Sequence, residues 1–199
     1  TVTITITIPG GHLLQANDTA KVGLASMFGS MMNEDTKNYS AEQMAVELQK
    51  LGSNVSVGSS FDGITFNVQT LRKNLDKTLA LVQERMFNPK FTEANFSRIQ
   101  KQRLQGFKQA KADPAAVADA VFAKINYGPN SILSMSEDGT ENTIGNLKLQ
   151  DVENYYNSNM TSKGVKVVIV GDVKQEEILP KLAFLNKLPN KKIDLPKVN

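Results

Sequence analysis

Cysteine is absent from this 199-residue chain, which excludes disulfides and thiolate metal sites. Histidine is almost absent too. His12 is the only one, so the chain cannot build a zinc site from several imidazoles, and His12 itself is expected at a turn or on the surface. Long apolar runs are missing: stretches such as Val167 to Val170 are far short of the ~20 residues a bilayer span needs. Thr1 to Ile8 lacks the basic start and apolar core of a signal peptide. Nor is there a large excess of one charge, since 23 basic residues against 20 acidic ones leave +3. One basic cluster, Arg98, Lys101, Arg103, Lys108 and Lys111, falls on a single predicted helix. It has neither interleaved aromatics nor a reader motif, so it reads as a solvated face, and no nucleic-acid partner is expected.

What is present suits a globular domain. Apolar residues make up 40% and charged residues 22%, and a chain of this length buries roughly 70% of its unfolded surface. Thr1 to Ile8 alternates, with Val2, Ile4, Ile6 and Ile8 on one face, and Pro9-Gly10-Gly11 ends the strand. A helix is predicted from about Thr19, with Leu24, Met27, Phe28 and Met31 at core spacing. Ser40 caps a second helix that ends at Leu51-Gly52. Two strands joined at Phe61-Asp62-Gly63 form a hairpin. A helix stopping at Asn88-Pro89 follows, then one from Thr92 to about Lys111 and one opened by Asp113-Pro114. Tyr127 to Thr143 reads as a long loop, and after it come a helix near 149–157, a strand at 165–170 and a helix near 175–185.

The grouping of helices and strands indicates an α+β fold with a mixed or antiparallel sheet, rather than a doubly wound one. Residues 1–186 are expected to form one domain and 187–199 a linker towards a following domain. A start in mid-strand and a Pro/Lys/Asn-rich end suggest a piece of a longer chain.

Several features, in this order, resemble the M16 metallopeptidases (pitrilysin, insulinase, mitochondrial processing peptidase). They are Pro9-Gly10-Gly11, Gly23-Leu24-Ala25, Asp35-Thr36 with Tyr39-Ser40, and Phe87-Asn88-Pro89-x-Phe91. Asp113-Pro114, Gly145-Asn146-Leu147 with Asp151-Val152 and Tyr155-Tyr156, and Gly171-Asp172 continue the series. The resemblance implies a two-layer α/β sandwich of the LuxS/MPP-like metallohydrolase type, with helices packed on one face of the sheet.

After Gly-Leu-Ala that family carries His-x-x-Glu-His, two zinc ligands and a general base on one helix, with a glutamate from a later helix as third ligand. The matching positions here read Ser26, Gly29 and Ser30, and the third-ligand region is Gln105, Gly106 and Phe107. Ser26, Gly29 and Ser30 are expected on one side of the helix, towards a cleft. The resemblance therefore implies a half without catalytic residues, metal or cofactor of its own. Zinc is expected in the catalytic M16 half of the parent protein, in the same chain or as a paired subunit, acting as a metalloendopeptidase on a peptide substrate.

The family's catalytic halves bind substrate as an added strand at a sheet edge, so Val2, Ile4, Ile6 and Ile8 become peptide-binding candidates if their strand is an edge. Serine chemistry at Ser26 or Ser30 lacks a neighbouring base. Acid pairs Glu34-Asp35 and Glu137-Asp138 read as solvated loop charges rather than a cation site. The expected role is the inactive domain of a bacterial zinc protease that helps enclose and orient peptide, with a periplasmic location preferred to a cytoplasmic one. The alternative is a structural or scaffold module of the same fold.

Overall fold

A computed structural model describes residues 1–197. Strand β1 (Val2–Pro9) is followed by short 3-10 turns at His12–Asn17 and Thr19–Lys21, then helices α1 (Leu24–Met31) and α2 (Ala41–Lys50). Strands β2 (Asn54–Ser59) and β3 (Gly63–Thr70) form the hairpin, with α3 (Leu75–Phe87), α4 (Glu93–Ala110) and α5 (Pro114–Tyr127) after it. Helices α6 (Glu141–Asn146) and α7 (Leu149–Asn159), strand β4 (Lys166–Gly171) and helix α8 (Gln175–Lys181) complete the order. The sheet runs β2-β3-β1-β4, and every pairing is antiparallel. This is the α+β fold expected.

The alternation read from the sequence sets the layers. Val2, Ile4, Ile6 and Ile8, with Val55, Val57, Ile64, Phe66 and Val68, are buried on the helical side. Thr3, Asn67, Gln69, Val168 and Val170 face outward and are exposed. Against the inner face, Phe28 of α1 stacks on Tyr155 of α7, with ring centroids 4.7 Å apart.

Several expectations need correcting. β1 is not an edge: it pairs with β3 on one side and β4 on the other over most of its length. Its main-chain groups are used inside the sheet, and Val2, Ile4, Ile6 and Ile8 are fully buried core. These four residues cannot bind a peptide as an added strand.

The first helix begins at Leu24 rather than near Thr19, because Gly23 adopts a left-handed conformation (φ 96°) at its start. A Cβ there would meet Asp138 O at 2.8 Å, so only glycine allows this approach. The long loop after α5 contains a 3-10 turn at Ile132–Ser134 and the start of α6. His12 is buried rather than surface, with Nε2 3.0 Å from Ile132 O. The segment read as a linker is packed where it begins: Leu188 is buried, and Thr161 Oγ1 donates to Pro189 O at 2.9 Å and Lys191 O at 2.6 Å. Residues 198 and 199 of that segment lie outside the described residues.

The caps behave as their residue types dictate. Ser40 and Gln43 form a reciprocal capping box on α2, and Asp113 accepts from Ala115 N at 2.9 Å with Pro114 in the first turn of α5. Helix α5 buries none of its own residues, and Val121, Phe122 and Ile125 are exposed.

Candidate functional site

The two serines of α1 are one helical turn apart and turn to the same side. What they meet is Arg103, from the middle of α4. Its Nη2 donates to Ser26 Oγ at 2.9 Å, to Ser30 Oγ at 2.8 Å and to Ser26 O at 3.0 Å. Its Nη1 donates to Asp138 Oδ1 at 3.2 Å, and Ser26 Oγ donates to the same oxygen at 2.6 Å. Asp138 reaches this point because its loop is pressed on the start of α1, where Gly23 leaves room for Gly139.

Four groups from two segments thus close on one guanidinium. The Arg103 side chain is only 16% exposed. Burial pulls its pKa below the ordinary arginine value, while the charge and hydrogen bond of Asp138 act in the opposite direction.

Gly29, the third position of the degenerate motif, does not share that side and departs from the expected common face. It is buried against strand β2, where a Cβ would lie 3.0 Å from Gly58 C and 3.1 Å from Ser59 N. In the third-ligand region, Gln105 and Gly106 are exposed and Phe107 is half-buried. None of the three contributes to the cluster. The participant from α4 is Arg103, about one turn before Gly106, and it leaves the solvated face expected for the basic residues of this helix. Its spacing from Gly106 was the available signal, because residues three apart share a helix face.

The donor set does not suit zinc. Protein zinc sites use imidazole, thiolate and carboxylate. Here there are two hydroxyls, one carboxylate and a fixed cation, which repels a second one. No group of three or more His, Cys, Asp or Glu side chains that could hold a metal occurs among the described residues.

The acids Glu34 and Asp35 have other partners. Glu34 pairs with Arg98 at 2.6 Å, and Asp35 accepts from Ala41 N at 2.9 Å and Asn95 Nδ2 at 3.1 Å. Ser26 Oγ donates to the Asp138 carboxylate, but no imidazole stands beside it, since His12 bonds to Ile132 O. The arrangement lacks what serine chemistry requires.

Helix α1, which carries Ser26, Gly29 and Ser30 and no histidine, lies within a sandwich of the metallopeptidase type. The model of the insulinase family, peptidase family M16, matches residues 1–131, and the chain belongs to that family. It is 26% identical over 184 residues to the non-peptidase homolog YmxG of Helicobacter pylori, covering 92% of this chain and 42% of that protein. It is equally 26% identical over 184 residues to the zinc protease PqqE of the same organism, covering 88% of this chain and 40% of that protein. The chain therefore spans about two-fifths of the length of these relatives. Among solved structures, the peptidase M16 inactive domain from Pseudomonas fluorescens superposes with a TM-score of 0.88 at 21% identity, covering all of this chain and 48% of that one. The identity to a protease and to a non-peptidase is equal, so it does not discriminate between them.

No helix among the described residues is long and apolar enough to cross a membrane.

Proposed function

We propose that this chain is a non-catalytic domain of a bacterial M16 zinc protease, kept to enclose and orient peptide that is hydrolysed at a zinc site in another half. The observation that carries this reading is the hold of Ser26, Ser30 and Asp138 on the Arg103 guanidinium, where the family's motif takes metal. The exposed apolar residues of α5, Phe122 and Ile125 among them, suit burial against that other half. A periplasmic location belongs to the same proposal and rests on the family resemblance.

The test is metal analysis and peptide hydrolysis, with the chain alone and with an M16 half carrying His-x-x-Glu-His. The expected result is no tightly held zinc and no turnover alone. Turnover in the complex should depend on the partner's glutamate and fall when this domain is left out. One tightly bound zinc per chain, or turnover without the partner, would overturn the proposal.

A second reading, an assembly module with no part in proteolysis, is favoured by the similarity to the non-peptidase homolog. It predicts a complex that forms but whose turnover does not depend on this domain.

A further inference from the structure

β2 is an edge strand, and it runs alongside the degenerate helix. Its hairpin partner fixes which of its groups point outward. Ser60 N donates to Gly63 O at 2.8 Å, so Ser60 and Gly63 face each other as a hydrogen-bonded pair. The alternation of an antiparallel ladder then turns the N–H and C=O of Ser59, Val57 and Val55 away from β3. Such a row is a ready template for another strand.

Here the row is taken at its centre by side chains. Val57 N donates to Asn33 Oδ1 at 2.8 Å, and Asn33 Nδ2 donates to Val57 O at 2.7 Å. A carboxamide making both bonds to one residue reproduces what the main chain of a neighbouring strand would do. Next along, Val55 O accepts from Arg85 Nη1 at 2.5 Å, and that nitrogen is also 3.2 Å from Asn33 Oδ1. Asn33 is held in turn, since its Nδ2 also donates to Gly29 O at 2.8 Å.

Arg85 is buried, and its Nε has no partner among the described residues. Sinking a guanidinium into a core is costly unless its bonds are needed there. These bonds go to the edge carbonyl and to the amide that covers the next position. The seal is completed by proximity, because α1 approaches Gly58 and Ser59 closely enough that Gly29 has no space for a side chain.

We propose that Asn33 and Arg85 form a built-in seal that closes the β2 edge to strand addition at Val55 and Val57. An extended peptide therefore cannot be gripped through its main chain beside the degenerate site. Within the reading of this chain as the enclosing half, on which this last step rests, the main-chain grip on substrate falls to another part of the protease.

Amide hydrogen exchange on the whole chain, resolved by residue, tests the seal. Val57 N–H is expected to exchange slowly in the unmodified protein and at least about tenfold faster in Asn33→Leu, which keeps the volume and removes the amide. Ile6 and Phe66 in the sheet interior should be unchanged in that variant. An unmodified Val57 amide as fast as loop amides, or one still slow in Asn33→Leu, would overturn the proposal. Should that variant not fold, titration of the unmodified chain with a labelled octapeptide of alternating threonine and valine decides. Unchanged β2 amides are expected, and peptide-induced protection of Val55 or Val57 would overturn the seal. Zinc binding or turnover by the chain alone would instead defeat the functional reading and leave the seal intact.

Discussion

Arg103 Nη2 lies 2.8 Å from Ser30 Oγ, so a side chain from α4 rests on the helix that in this family carries the metal ligands. The same nitrogen reaches Ser26 Oγ at 2.9 Å. Arg103→Met should remove this tie with little change of volume and cost about 1–2 kcal/mol, since hydrogen bonds to a charged group exceed neutral ones. Ser30→Ala should cost less than about 1 kcal/mol. Urea midpoints give both values, and the double variant should depart from additivity because the residues touch.

Restoring the motif should not restore the metal. A chain carrying Ser26→His, Gly29→Glu, Ser30→His and Gly106→Glu would still have the Arg103 cation at the site, because Asp138 and the backbone carbonyl of residue 26 continue to hold it. Zinc titration followed by calorimetry should show no stoichiometric binding while Arg103 remains.

Two helix glycines should respond with opposite signs to alanine. Nothing lies within 4 Å of a Cβ built on Gly106, so Gly106→Ala should stabilise by the usual helix preference, about 0.5–1 kcal/mol. At Gly29 the same methyl would press on Gly58 at 3.0 Å, against a strand held by the Asn33 bonds to Val57. Gly29→Ala should destabilise, and by less in an Asn33→Leu background. Thermal unfolding of the four variants reads this out.

The interior position of β1 sets a third contrast. Ile6 is fully buried between two paired strands, and Ile6→Ala should cost about 2–5 kcal/mol. Thr5 points to the other face, and Thr5→Ala should cost under about 1 kcal/mol. Denaturant unfolding of the pair measures the difference.

Acid should loosen the corner where α3 meets the segment before α2. Burial acts to raise the pKa of Glu84, but hydrogen bonds from Asn88, Thr36 and Asn38 outweigh it and hold the carboxyl below its ordinary value of 4.5. A folded-state pKa below the unfolded one contributes stability above the unfolded value, and that contribution is lost as pH falls through the folded one. Glu84→Gln should therefore flatten the fall in stability as pH drops below 4.5, as read from urea midpoints along a pH series.

The sequence disclosed the layers more fully than the neighbours across them. The threonine–isoleucine alternation of β1 identified a buried face, but period-two alternation says nothing about what pairs at either flank, and β4 arrives from 160 residues later in the chain. Caps at Ser40 and Asp113 were legible because they are local. The lack of His-x-x-Glu-His after Gly23-Leu24-Ala25 was legible because that motif has fixed spacing. Arg103 was hidden among five basic residues of one helix, and only the meeting of α4 with α1 separates it from the solvated ones. Arg98 and Lys111 do stay near solvent, paired with Glu34 and Glu141. His12 went the same way, since burial beside Ile132 depends on a loop 120 residues distant.

A cation belonging to the chain has no dissociation rate. The hydroxyls of Ser26 and Ser30 receive their partner when the polypeptide folds, without loading from a cellular pool and without competition between metals. Chelators that strip and unfold small metalloproteins have no hold on this tie, which is made of side chains alone. A domain organised in this way holds this corner together whatever the supply of metal.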